Sequence, residues 1–153
     1  KLTLANLIDL LGQTYSASSG ATFKADLNAP YVGLGIVAMN ISGGVITYSN
    51  QAKRDLLGVP AGLLAQFGAV SEQVARAMAE GAREALDADY ALSVTGVAGP
   101  DGGTADKPVG LVYLGCAGPD GTSARRGDFP GDRDTVRTFS TTSALHLLLA
   151  GLP

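Results

Sequence analysis

Residues 93–115 read SVTGVAGPDGGTADKPVGLVYLG, two apolar runs on either side of a connection that carries Gly96, Gly99, Gly102 and Gly103. The runs YALSVTG and VGLVYLGCA are apolar at nearly every position, the pattern of strands covered on both faces. Glycine in a connection costs folding entropy and is kept where φ must be positive or where a group must approach the backbone closely. The connection is therefore either a structural crossover or a ligand site. It is not a Walker A loop, because no Gly-Lys-Ser or Gly-Lys-Thr follows, and its Gly-x-x-Gly-x-x-Gly-Gly spacing departs from the Rossmann fingerprint. What remains is a row of backbone N–H groups, uncovered by missing side chains, able to hold an anion or a developing oxyanion.

On the N-terminal side, Ser71 opens the clearest helix, SEQVARAMAEGAREALDADY. Val74, Met78, Ala82 and Leu86 form its apolar stripe, and the pairs Glu72/Arg76 and Arg76/Glu80 lie on a solvated face. Before it, NQAKRDLLGV puts Ala52, Leu56 and Leu57 on one helical face; Gly58 and Pro60 end that helix and lead into a short one, AGLLAQF. The segment GVITYS has the β-branched and aromatic content of a buried strand. Leu4, Leu7, Ile8 and Leu11 predict a short helix between Thr3 and Gly12. On the C-terminal side, GPDG (residues 118–121) is a turn, TSARRGDF an outer strand, and DRDTVRTFSTTSALHLLLA a helix with Asp132 as its N-cap. Helices separating covered strands predict an α/β sandwich with a mixed sheet, and with no repeat or linker to divide it, residues 1–153 are expected to form one domain.

The 153 residues are 46% hydrophobic and contain no apolar run of membrane-spanning length, so a soluble, cytoplasmic domain without membrane attachment is expected. The opening KLTLANLIDLLGQ has helical spacing and Asp9 in place of an apolar block with a cleavage site, which argues against a signal peptide. Its first residue is lysine, which suggests a processed or excised chain. A net charge of −3 without a lysine or arginine cluster disfavours nucleic acid and leaves a small molecule as the expected partner. The single cysteine, Cys116, sits in LVYLGCA as a small buried residue. The single histidine, His146, lies among Leu145, Leu147 and Leu148 and reads as a packing residue. No Cys/His or His/His spacing offers a zinc site, so neither a metal nor a cofactor is expected.

In TYSNQAK, Tyr48 ends a strand and Lys53 falls inside the next helix. Both can face one cleft, where a desolvated lysine or a tyrosinate takes the proton of a hydroxyl nucleophile. The alternative is a half-buried Tyr48 beside a solvated Lys53.

Four words, GGVITYSNQAKRDLLGVP, GAVSEQVARAMAEGAR, ADYALSVTGVAGPDGGTADKPVGLVYLG and FPGDRDTVR, stand in an order that resembles the CinA C-terminal domain family. That family includes the stand-alone nicotinamide-nucleotide amidases called PncC. The resemblance implies a three-layer α/β/α sandwich with a mixed, mostly parallel sheet, assembled as a homo-oligomer. It also implies metal-independent hydrolysis of the carboxamide of nicotinamide mononucleotide to nicotinic acid mononucleotide and ammonia. By the same resemblance Tyr48 and Lys53 are catalytic, Gly20 and the loop from Gly96 to Lys107, with Gly99, Gly102, Gly103 and Thr104, belong to the substrate pocket, and Arg137 suits the nucleotide phosphate through its fork of donors.

The chain leaves the family pattern at the nucleophile. Where the family carries Glu-Ser-Cys-Thr-Gly-Gly, this sequence has YSASSGATF. Aligned on Gly20, the family serine falls on Ala17; shifted by one, it falls on Ser18, with Ser19 next to it. Two expectations follow. One is an amidase in which Ser18, or after it Ser19, attacks the carboxamide beside Gly20. The other is a catalytically silent relative that keeps the fold and serves as a nucleotide-binding or protein-interaction module.

Overall fold

Side-chain caps set where most of the helices begin. The computed structural model describes residues 43–152, and all of its elements belong to a unit that starts at Gly44. In chain order they are α1 (Asn50–Leu57), α2 (Ala61–Phe67), α3 (Glu72–Ala85), β1 (Ala91–Gly96), β2 (Leu111–Gly118), β3 (Gly121–Asp128) and α4 (Arg133–Gly151). The Ser49 hydroxyl accepts from the N–H of Ala52, the Ser71 hydroxyl from that of Val74, and the Asp132 carboxylate from that of Thr135. Each satisfies an amide that has no partner inside its helix. Helix α1 ends on Gly58 in the left-handed conformation, φ 63°, whose N–H donates to the Arg54 carbonyl, while that of Val59 donates to Lys53.

Helix α3 has two buried seams. Val74 and Met78 pack with Leu57, Val59 and Leu64 of the α1–α2 region. Ala75 and Ala79, both fully buried, form the second. There the Ser93 hydroxyl donates to the Ala75 carbonyl at 2.6 Å, and a Cβ on Gly115 would lie 2.5 Å from that same oxygen. On the other face of the sheet, Val112 and Leu114 meet Val136 and Ala144 of α4. Because successive strand residues point to opposite faces, Gly115 and Leu114 report that α3 and α4 sit on opposite sides of β2.

The sheet runs in the order β1-β2-β3, and both pairings are antiparallel, with Val94 opposite Leu114 and Leu114 opposite Arg125. The expectation of a mixed, mostly parallel sheet is corrected for the described residues. Residues 97–110 return from β1 to β2 without a crossover helix, and β2 turns into β3 through Pro119 and Asp120 alone, connections that antiparallel neighbours use.

Other expectations change with burial. Among the described residues GVITYS pairs with no strand, and Val45 and Thr47 are half-buried while Ile46 and Tyr48 stand exposed. Nor is β1 covered on both faces, since Ala91, Ser93 and Thr95 are buried but Val94 is exposed. On α1 the buried positions are Lys53 and Leu57, and Leu56 faces out. Arg76 pairs with Glu72 at 3.0 Å and reaches across to the Thr122 carbonyl of β3, a backbone acceptor where the i,i+4 spacing suggested Glu80. His146 is exposed, because α4 buries Val136, Ser140, Ala144, Leu145 and Leu148 and leaves it on the outer side. Cys116 is a buried free thiol whose pKa is pushed up by desolvation. No described helix is long and apolar enough to cross a membrane. The helix expected between Thr3 and Gly12 lies outside the described residues.

Candidate active site

A helical side chain leans back toward the N-terminus of its helix, and on α1 this carries the Lys53 ammonium group toward the segment that enters the helix. Its Nζ donates to the Thr47 carbonyl at 2.7 Å, and the residue is only 5% exposed. Desolvation lowers its pKa from the ordinary lysine value, which favours the neutral amine. A neutral amine that donates one proton to Thr47 still has a lone pair with which to accept another. Tyr48, by contrast, is 95% exposed. Adjacent residues of an extended segment point to opposite sides, so Thr47 turns inward and Tyr48 outward. The expected shared cleft for Tyr48 and Lys53 is therefore not formed among the described residues, and the alternative of a solvated Lys53 is reversed.

The glycine connection is held closely. The Val97 N–H donates to Leu111 at 2.9 Å and the Gly110 N–H to Val97 at 2.7 Å, closing the base of the loop. A Cβ on Gly96 would lie 2.7 Å from the Leu111 carbonyl, one on Gly99 2.7 Å from Val109 Cγ1, and one on Gly103 3.0 Å from Val109. Those three glycines make room for neighbours. Gly102, at φ 87° with open space where a side chain would be, serves the turn itself. Thr104 donates its N–H to the Lys107 carbonyl at 2.9 Å, and its hydroxyl accepts the N–H of Lys107 at 3.0 Å. Among the described residues, the N–H groups of Asp101, Gly102 and Gly103 have no acceptor.

Two cations touch this loop, Lys107 at its end and Arg133, which the sequence did not single out. Lys107 Nζ donates to the Phe67 carbonyl at 2.7 Å, and Arg133 Nη1 donates to the Gly99 carbonyl at 3.1 Å. Arg137, one turn further along α4, has a side chain 66% exposed and 4.0 Å from Asp134. The available signal was the spacing of Arg133 and Arg137, i and i+4 on one helical face. Ser18, Ser19 and Gly20 lie outside the described residues. Among the described residues no three His, Cys, Asp or Glu side chains come together as a metal site.

The family model for the CinA C-terminal domain matches residues 37–152. A CinA-like protein of Citrifermentans bemidjiense is 57% identical over 105 residues, which cover 69% of this chain and 25% of that protein. A CinA-like protein of Mycolicibacterium gilvum is 55% identical over 113 residues, covering 73% and 27%. The chain thus matches about a quarter of the length of these relatives. Among solved structures, the competence/damage inducible protein CihA from Agrobacterium tumefaciens has a TM-score of 0.66 at 44% identity, over 68% of this chain and 64% of that one. The competence or damage-inducible protein from Enterobacter asburiae has a TM-score of 0.68 at 34% identity, over 72% and 69%. The family match begins at residue 37, after the YSASSGATF segment.

Proposed function

Because this chain belongs to the CinA C-terminal domain family, we propose that it is a metal-independent amidase that converts nicotinamide mononucleotide to nicotinic acid mononucleotide and ammonia. The observation that carries this reading is Lys53, buried and desolvated on the word TYSNQAK with one proton committed to Thr47. A serine hydroxyl, that of Ser18 or after it Ser19, attacks the carboxamide carbon and gives its proton to the Lys53 amine. Lys53 passes this proton to the carboxamide nitrogen, the C–N bond breaks and ammonia leaves. Water then attacks the acyl carbon as Lys53 takes its proton, the ester C–O bond breaks, and Lys53 returns the proton to the serine oxygen as nicotinic acid mononucleotide leaves. Tyr48, 95% exposed on the opposite side of the segment from Thr47, takes no step in this scheme. The N–H groups of residues 101–103, without an acceptor among the described residues, supply donors for the oxyanion, within the pocket made by Gly96, Gly99, Gly102, Gly103 and Thr104. Arg137 holds the phosphate.

One observation favours a second reading. The family match starts after YSASSGATF, which leaves the nucleophile segment outside it and suits a nucleotide-binding module without turnover. Ammonia release from nicotinamide mononucleotide separates the two. For the amidase, the purified chain releases ammonia and the Lys53→Ala and Ser18→Ala variants do not. A wild type that binds the nucleotide without releasing ammonia establishes the second reading instead.

A further inference from the structure

We propose that Lys107 is a positioning residue that locks the glycine loop to the junction between α2 and α3, fixing the direction of the loop's N–H groups before any ligand arrives. The consequence for nucleotide affinity rests on the function proposed above; the locking of the loop does not.

The anchor is chemically specific. Phe67 is the last residue of α2, and carbonyls at a helix C-terminus lack intrahelical partners and carry partial negative charge. The Lys107 ammonium donates to that carbonyl at 2.7 Å. The junction has little freedom to yield. Gly68 is in a positive-φ conformation at 73°, and a Cβ there would lie 2.8 Å from Lys107 Nζ. The Ser71 hydroxyl donates to the Gly68 carbonyl at 2.9 Å. The Thr95 hydroxyl, from β1, donates to the Ala69 carbonyl at 2.8 Å. The strut therefore ends on backbone that is fixed at two further points, one of them in the sheet.

At its other end the strut starts inside the loop. The backbone N–H and carbonyl of Lys107 both close on Thr104, so residues 104–107 form a small closed unit, and residues 101–103 precede it directly. The opposite flank is held by Arg133 on the Gly99 carbonyl, with Val109 seated against Gly99 and Gly103 between the two. A loop clamped on both flanks presents its N–H groups without an ordering cost at the moment of binding, which preserves affinity.

Three proteins are compared: wild type, Lys107→Met and Lys107→Arg. Hydrogen exchange is read at the hydrogen-bonded amides of residues 104 and 107 and across α3, and nicotinamide mononucleotide is titrated by calorimetry. In Lys107→Met the loop amides are expected to exchange about tenfold faster while α3 is unchanged, and the nucleotide to bind about tenfold more weakly. Lys107→Arg, which keeps a donor for Phe67, is expected to recover most of both effects. Unchanged loop exchange in Lys107→Met overturns the proposal, as does equal loosening of the loop and α3, which marks a general stability role. A wild type that binds the nucleotide but releases no ammonia refutes the amidase and leaves this proposal standing. A wild type that binds no nucleotide refutes the pocket, and loop exchange still decides for or against Lys107.

Discussion

Lys53 binds its proton less tightly in the folded chain than in the unfolded one, because burial penalises the charged form. Between the lowered folded pKa and the ordinary value of 10.5, the unfolded chain therefore holds more protons, and stability rises with pH through that window. Below it, the folded protein carries the burial penalty in full. Lys53→Met keeps an apolar stem and removes the charge. Near neutral pH its Tm is expected to equal or exceed that of the wild type, with the advantage shrinking as pH climbs toward 10.5, while ammonia release is lost. Thermal melts across pH check this; a markedly lower Tm for the variant at neutral pH would show that the bond to Thr47 outweighs the buried charge. The residue type and its place after TYSNQA were legible in the sequence, but its burial was not. Leu56 and Leu57 offered the more apolar face, and nothing in the sequence showed that a lysine stem would take the inner position beside Leu57. The loop glycines are similar: their need for close approach was legible, but not that Val109 fills the space beside two of them.

Helix α3 depends on small residues that sequence periodicity weights little. A Cβ on Gly81 would lie 1.8 Å from the Leu57 carbonyl, so α1 reaches α3 at its backbone. In an exposed helix, Gly→Ala stabilises by about 1 kcal/mol. Here Gly81→Ala is expected to destabilise by about 1–3 kcal/mol, because the helices must separate to admit the methyl group. The denaturant midpoint decides the sign, and a raised midpoint would show that the contact relaxes freely. The Val74/Met78 stripe, the Ser71 and Asp132 caps and the 118–121 turn were all legible, since each follows from local chemistry. The Ala75/Ala79 seam was not, because alanine is common on every face of a helix. The antiparallel pairing of β1 and β2 escaped too, since a connection spanning residues 97–110 is long enough for either a crossover or a return.

At the scale of the whole molecule, the chain carries one module found within relatives about four times the length it matches, and the chemistry proposed for it rests on Lys53 acting as a base. The pH dependence of ammonia release from nicotinamide mononucleotide reads that base directly. A lysine base is active only when deprotonated, so the rate rises with pH toward a plateau whose midpoint falls below the ordinary lysine value of 10.5. It is expected to be unaffected by EDTA and absent in Lys53→Ala. A rate that is flat with pH, an Ala variant as active as the wild type, or activity lost in EDTA and restored by zinc would contradict it.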